Sequence, residues 1–157
     1  MASFELLVVE DSEVKWREIH SLLLNMQDVA LSIERAKTID EANRLISDKR
    51  WSLILLDISM DIRESASDTS SGGHDTTGGL RVAQRMYYLE RDAPIIIVTA
   101  FDSFPTRIQD RGAMLGLNDV LASASGMLGD LLIGLVKYQE DGWEDKLSKL
   151  IRTVIDK

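Results

Sequence analysis

The side chains of this sequence that could carry out chemistry are acids and one hydroxyl group that directly follow apolar runs. They are Glu10 and Asp11 after "FELLVV", Asp57 after "LILL", and Thr99 after "IIIV". A carboxylate is rarely buried without a partner, so acids that end core-like segments need a cation or must hold a proton. At about 4 Å and an effective dielectric constant near 20, two carboxylates repel each other by about 4 kcal/mol. Oxygen ligands without cysteine or histidine favour Mg²⁺ as that cation.

The apolar runs alternate with helix-like patterns, which predicts alternating strands and helices. The first four predicted strands are 4–9, 29–34, 51–57 and 94–100. The predicted helices lie between them, at the stripe Trp16, Ile19, Leu22, Leu23 and Met26, at the capping-box pattern from Thr38 to Glu41, and at Leu80, Ala83, Met86 and Tyr87. Because the strand runs are apolar throughout, we expect both faces of the sheet to be covered, as in parallel sheets joined by helices. The sequence therefore predicts an α/β fold with a doubly wound parallel sheet and helices on both faces.

The fifth strand has two candidate positions in the C-terminal third. They are "LLIGLVKY" at 131–138 and "NDVLAS" at 118–123. The first is favoured because apolar residues from Leu117 to Leu131 recur at spacings of three and four, which indicates a helix over 118–129. Either strand would complete a five-stranded sheet. Because the carboxyl ends of parallel strands meet at one edge, we expect the acids and Thr99 to converge there.

Length and composition bound the remaining possibilities. We expect 1–157 to form a single domain, with a long polar loop at about 61–79 and an extended segment at about 103–130 between the fourth and fifth strands. A net charge of -8 argues against nucleic acid as a direct partner. There is no basic leader, no apolar run of membrane-spanning length and no cysteine, so we expect no membrane contact and a cytoplasmic location.

The motifs "VVEDS", "LILLDISM" and "IIIVTA", with a lysine on the last strand, resemble the receiver domain of two-component response regulators. The resemblance covers nearly the whole chain and implies the flavodoxin-like receiver fold. It implies that Mg²⁺ is held by Glu10, Asp11, Asp57 and the backbone carbonyl of Ser59. By the same resemblance, Asp57 accepts a phosphoryl group from a histidine kinase or phosphotransfer protein, Thr99 donates a hydrogen bond to the phosphoryl oxygens, and Lys137 offsets their charge.

Two positions near the last strand depart from the pattern of that family. Lys137 is followed by Tyr138 where the family has proline, and Gly134 stands where the family usually has an aromatic switch residue. If the fifth strand were 118–123, the lysine position would fall on Ser123 and the lysine would be missing. By this resemblance the chain is a divergent receiver.

Two functional hypotheses follow from the resemblance. The first is a phosphoacceptor switch that signals to an unidentified effector protein through protein contact. The alternative is a pseudo-receiver, an interaction module that keeps the fold and the acids but is not phosphorylated. We expect neither to be an enzyme beyond its own phosphorylation and dephosphorylation. A haloacid-dehalogenase-like phosphatase would need an aspartate two residues after the nucleophile, and Ser59 occupies that place.

Overall fold

The computed structural model of the chain describes residues 3–60, 78–100, 103–105 and 114–157, with only the backbone described at 103–105, 114 and 115. The elements in chain order are β1 Phe4–Val9, α1 Glu13–Leu24, β2 Leu31–Ala36, α2 Ile39–Asp48, β3 Leu53–Leu56, α3 Gly78–Tyr88, β4 Ile95–Thr99, β5 Ser103–Pro105, β6 Met114–Gly116, α4 Leu117–Leu128, a 3-10 turn Gly129–Leu131, β7 Leu132–Lys137 and α5 Trp143–Ile155.

Five parallel strands form the main sheet, in the order β2-β1-β3-β4-β7. The short strands β5 and β6 pair with each other in an antiparallel ribbon. The chain proceeds from β1 to one side for β2 and to the other side for β3, so the switch in strand order lies between β1 and β3. The predicted α/β fold with a five-stranded parallel sheet is confirmed.

Apolar side chains cover both faces of the sheet. One face carries Leu7, Val9, Ile54, Leu56, Ile95 and Ile97, which pack with buried residues of α2, α3 and α4. The other face carries Leu6, Val8, Leu53, Leu55, Ile96 and Val98, which pack with buried residues of α1 and α5. Burial of each such side chain stabilises the fold by about 1.5–3 kcal/mol. The unbroken apolar runs of the sequence are thus explained by strands that lie between two helical layers.

The structure decides between the two candidates for the last strand. Residues 117–128 form α4, with Ser123 exposed on that helix, and 132–137 form β7. The strand therefore lies within the favoured segment 131–138, and the reading that put Ser123 at the lysine position is wrong. Lys137 ends β7 and pairs in register with Thr99 at the end of β4.

Strands β3, β4 and β7 lie within their predicted ranges, whereas the second strand and the end of the predicted loop 61–79 do not match the prediction. The second strand is Leu31–Ala36 rather than 29–34, and it extends over Glu34 and Arg35. Because β2 is an edge strand, these polar side chains reach solvent-accessible partners, as Glu34 does with Lys49 at 2.9 Å. Gly78 and Gly79, the last two residues of the predicted loop 61–79, belong to α3, and 61–77 lies outside the described residues.

Within the described part of the chain, none of the helices is both long enough and apolar enough to span a membrane.

Candidate functional site

The ends of β1 and β3 bring two of the predicted acids together. Val9 pairs in register with Leu56, and the N–H of Asp57 donates to the carbonyl of Val9 at 3.1 Å. Glu10 and Asp57 therefore lie side by side, because each directly follows the last residue of one of these two neighbouring strands. Both side chains are buried, at 2% and 4% exposure. Asp11 lies exposed at the rim. Among the described residues, ligand atoms of Glu10, Asp11 and Asp57 all lie within 4.8 Å of one another.

The first turn of α3 holds the segment that follows Asp57. The N–H of Gly79 donates to the carbonyl of Ile58 at 3.1 Å, and the N–H of Gly78 donates to that of Met60 at 2.8 Å. A Cβ atom on Gly79 would lie 2.5 Å from the backbone oxygen of Asp57 and 2.5 Å from the Cα of Ile58. Only glycine permits this approach, so α3 fixes the position of the acidic strand end.

Lys15 also belongs to the site, although it lies outside the sequence motifs that carry the other members. Its ammonium group lies 2.6 Å from Oε1 of Glu10 and 3.3 Å from Oδ2 of Asp57, and it donates to the carbonyl of Val98 at 2.7 Å. The side chain is 4% exposed. Lys15 precedes Ile19 and Leu23 by four and eight residues, so it stands on the buried face of α1. A lysine in phase with the apolar stripe of a helix was the signal in the sequence.

The helix that carries Lys15 begins at the same strand end. The hydroxyl of Ser12 accepts a hydrogen bond from the N–H of Lys15 at 3.3 Å and so caps α1. The N–H of Ser12 donates to Oε2 of Glu10 at 3.1 Å. Glu10 is therefore bound through one oxygen to the helix cap and through the other to Lys15.

Ser59 binds the carboxylate of Asp57 directly. Its N–H and its hydroxyl donate to Oδ1 of Asp57, at 2.9 Å and 2.7 Å. These contacts orient the carboxylate and leave Oδ2 to face Lys15. The predicted role of the Ser59 carbonyl as a metal ligand stays a prediction.

Thr99 and Lys137 lie side by side at the carboxyl edge. They pair in register between β4 and β7, and the N–H of Tyr138 donates to the carbonyl of Thr99 at 2.9 Å. Thr99 is fully buried, and its hydroxyl has no hydrogen-bond partner among the described residues. Lys137 is 32% exposed and makes a long ion pair of 3.9 Å with Glu140. A buried hydroxyl group without a partner can donate a hydrogen bond to an oxygen atom of a bound ligand.

The site holds an excess of negative charge. Burial, and next the charge of Asp57, raises the pKa of Glu10 from 4.5 to about 8, although Lys15 offsets part of this effect. Loss of hydration beside the surrounding protein, and next the charge of Asp57, likewise raise the pKa of Asp11 above its usual value. One ammonium group therefore does not neutralise three carboxyl groups, and the cluster retains an affinity for a proton or a further cation.

The donor set suits a divalent cation in its chemistry, because three carboxylates within 4.8 Å are the oxygen ligands that Mg²⁺ prefers. The orphaned hydroxyl of Thr99 is a further donor at the same edge. Two of the three carboxylates, however, already bind the ammonium of Lys15. The residues can therefore bind the ion only if the ammonium group of Lys15 moves away from Glu10 and Asp57.

No protein-family model matches the sequence, and no curated protein matches it. Solved structures match over nearly the whole chain. A signal receiver domain of a two-component histidine kinase from Clostridium thermocellum has a TM-score of 0.66 at 14% identity, covering 98% of each chain. The receiver domain of a sensor histidine kinase from Pseudomonas aeruginosa PAO1, with a magnesium ion in its active-site cleft, has a TM-score of 0.63 at 18% identity, covering 99% of this chain and 100% of the other.

A third structure is the response regulator TrrA from Thermotoga maritima, solved in complex with Mg²⁺ and BeF. Its TM-score is 0.56 at 22% identity, and the match covers 96% of this chain and 97% of the other. Each of these three identities is low, so the likeness concerns the fold. With its strand order and the acids at its carboxyl edge, this chain has the fold of a response-regulator receiver domain.

Proposed function

We propose that this protein is a phosphoacceptor signalling switch in which Asp57 receives the phosphoryl group, in a Mg²⁺-dependent reaction. The observation that carries the proposal is the position of Asp57, a buried carboxylate at the strand-order switch point, within 4.8 Å of two further acids. The sheet edge brings the buried Thr99 hydroxyl and Lys137 to the neighbouring strand ends. Acceptor, cation ligands and oxyanion donors are the parts that phosphoryl transfer requires.

The chain's own residues have separate tasks in this reaction. Ser59 holds the Asp57 carboxylate through Oδ1, so the carboxylate has one orientation when it attacks phosphorus. A bond forms between a carboxylate oxygen and phosphorus while the bond from phosphorus to the donor breaks. The hydroxyl of Thr99 donates to a phosphoryl oxygen, and the ammonium of Lys137 offsets its charge. A bound divalent ion, held by Glu10, Asp11 and Asp57, would supply further charge compensation.

The proposed partners follow from this chemistry. The donor is a histidine kinase or a phosphotransfer protein in the cytoplasm, and the output is contact with an effector protein. Movement of Thr99 toward the phosphoryl group would alter the segment that follows β4. Gly134 stands on β7 where receivers usually have an aromatic switch residue, so the output does not use an aromatic side chain at that place.

One observation favours the pseudo-receiver as the second candidate. Lys15 occupies the acidic cluster, and Ser59 binds the remaining oxygen of Asp57, so both oxygens of the acceptor carboxylate have donors. A carboxylate held in this way is a less available nucleophile. If the arrangement persists in the cell, the protein would act through contacts of its folded surface alone.

Intact-mass measurement after incubation with Mg²⁺ and a small phosphodonor separates the two candidates. The switch predicts one added phosphoryl group on the wild type, none on Asp57→Asn, and an unchanged adduct on Asp130→Asn, which removes an exposed acid of the 3-10 turn. Absence of an adduct on the wild type, under conditions that label an ordinary receiver, would favour the pseudo-receiver.

A further inference from the structure

We infer that Lys15 is a resident cation of the acidic site, and that a divalent ion binds Glu10 and Asp57 only after the ammonium group of Lys15 has left them. The inference deepens the proposed function, on which it rests through the shared cation site. It concerns a residue of α1, outside the receiver motifs that the sequence displays.

The contacts of Lys15 form a complete site for an ammonium group. Three acceptors surround its nitrogen: Glu10 Oε1 at 2.6 Å, Asp57 Oδ2 at 3.3 Å and the Val98 carbonyl at 2.7 Å. An ammonium group has three protons, so each has an acceptor. Because Lys15 is 4% exposed, water competes little for these bonds.

The oxygens that face Lys15 are also those that a divalent ion would need. The second oxygen of Glu10 accepts from the N–H of Ser12, and the second oxygen of Asp57 accepts from Ser59. A bound Mg²⁺ lies about 2.0–2.1 Å from its ligand oxygens. An ion at that distance from Glu10 Oε1 would lie close to the ammonium group, and the two cations would repel each other.

Displacement of Lys15 sets the affinity of the site. Binding of the ion has to break the buried contacts of Lys15 with Glu10 and Asp57, and removal of one partner from such a buried cluster is costly. We therefore expect the wild type to bind divalent ions weakly. Replacement of Lys15 by a neutral side chain should tighten binding by about tenfold or more.

Titration of the full chain with Mn²⁺, with the free ion measured by electron paramagnetic resonance, tests this inference without a phosphodonor. Lys15→Met is expected to bind Mn²⁺ at least about tenfold more tightly than the wild type. The matched control is Lys37→Met, which removes the same charge from a side chain that is 60% exposed and pairs with Glu13. This control should bind as the wild type does. In Glu10→Gln/Lys15→Met the gain should disappear.

Equal affinities of the wild type, Lys15→Met and Lys37→Met would overturn the inference, and so would the absence of binding in all three. Circular dichroism establishes that Lys15→Met is folded. If it is not, Lys15→Gln replaces it, because the glutamine amide can still donate to the Val98 carbonyl.

Displacement of Lys15 can also be measured directly in the wild-type protein by nuclear magnetic resonance. The Lys15 side-chain signals in a lysine-selective ¹³C spectrum should shift with Mg²⁺ at the same midpoint as ion binding. Signals that stay unchanged at saturation would refute displacement. Failure of the proposed function is distinguishable, because it would appear as a missing phosphoryl adduct in the mass measurement, whatever the Mn²⁺ affinities are.

Discussion

The ammonium group of Lys15 and the carboxyl group of Glu10 lie 2.6 Å apart in the interior, between the first turn of α1 and the end of β1. This pair shares its site with Asp57, so one cation serves two buried carboxyl groups. A buried ion pair contributes little net stability because both groups lose their hydration. Its importance here is that it governs which protons and cations the site accepts.

The first prediction concerns the pH dependence of stability. The pKa of Glu10 is raised by burial and by Asp57 to about 8 in the folded state, above the ordinary value of 4.5. The folded protein therefore binds this proton more tightly than the unfolded protein. The contribution of Glu10 is fully present below about pH 4.5, and it is lost as the pH rises toward about 8. The free energy of unfolding of Glu10→Gln should fall less over this range than that of the wild type.

Denaturant titrations at several pH values measure this effect. The control is Glu13→Gln, an exposed acid whose pKa is lowered by the hydrogen bond that it accepts from Arg35, so it is ionised in both states above about pH 6, where the two slopes are compared. Its slope should equal that of the wild type. Identical pH slopes for the wild type and Glu10→Gln would contradict the prediction.

Replacement of Thr99 by valine should separate stability from signalling. The Thr99 hydroxyl is buried and has no partner among the described residues, so its removal should leave the free energy of unfolding unchanged or raise it by about 1–2 kcal/mol. The spectroscopic response to Mg²⁺ and beryllofluoride should be lost. The control is Thr38→Val, whose hydroxyl caps α2 at 3.0 Å from the N–H of Glu41, and which should cost about 1 kcal/mol. A marked loss of stability in Thr99→Val would show that the hydroxyl has a partner.

A pair of glycine substitutions tests the contact between α3 and the backbone of Asp57 and Ile58. In Gly79→Ala the new Cβ would lie 2.5 Å from the backbone of Asp57 and Ile58, so α3 must move and stability should fall by about 1–3 kcal/mol or more. In Gly126→Ala, on α4, the Cβ meets nothing within 4 Å and helix propensity should add about 0.5–1 kcal/mol. Thermal unfolding measures both changes. Equal effects at the two positions would contradict the packing described.

Lys137→Met should impair phosphorylation more than stability. The side chain is 32% exposed, so water screens the charge of Lys137 and the free energy of unfolding should change by less than about 1 kcal/mol. If Lys137 offsets the charge of the phosphoryl oxygens, the rate of adduct formation should fall at least about tenfold. The control is Lys149→Met, an exposed lysine of α5, which should leave the rate unchanged. A normal rate in Lys137→Met would exclude the proposed role.

Much of the fold could be predicted from local patterns. Unbroken apolar runs indicated strands covered on both faces, and spacings of three and four residues placed α4 ahead of the last strand. The bounds of β2 were less accurate, because an edge strand with Glu34 and Arg35 lacks the unbroken apolar pattern of the central strands. The pattern of apolar residues along the chain reflects burial, so it predicts the bounds of a strand poorly where the strand is only partly buried.

The candidate site was predictable where its members stand at strand ends and not where they come from elsewhere. Glu10, Asp11 and Asp57 lie within reach of one another because parallel strands in register end at one edge. The Ser59 carbonyl stays a predicted metal ligand, and the structure adds that the N–H and hydroxyl of Ser59 donate to Asp57. The local backbone conformation decides which groups of Ser59 face the carboxylate of Asp57, and the residue type alone does not predict that conformation.

The sequence by itself determined the sheet, its layers and the edge at which the acids meet, because these depend on periodic burial along the chain. Only the tertiary structure decided that Lys15 enters the acidic cluster. A lysine has a long, flexible stem that can extend to solvent or inward from the same place on a helix. The choice depends on the distance from α1 to the ends of three strands, β1, β3 and β4, which are brought together only when the sheet and the helix pack.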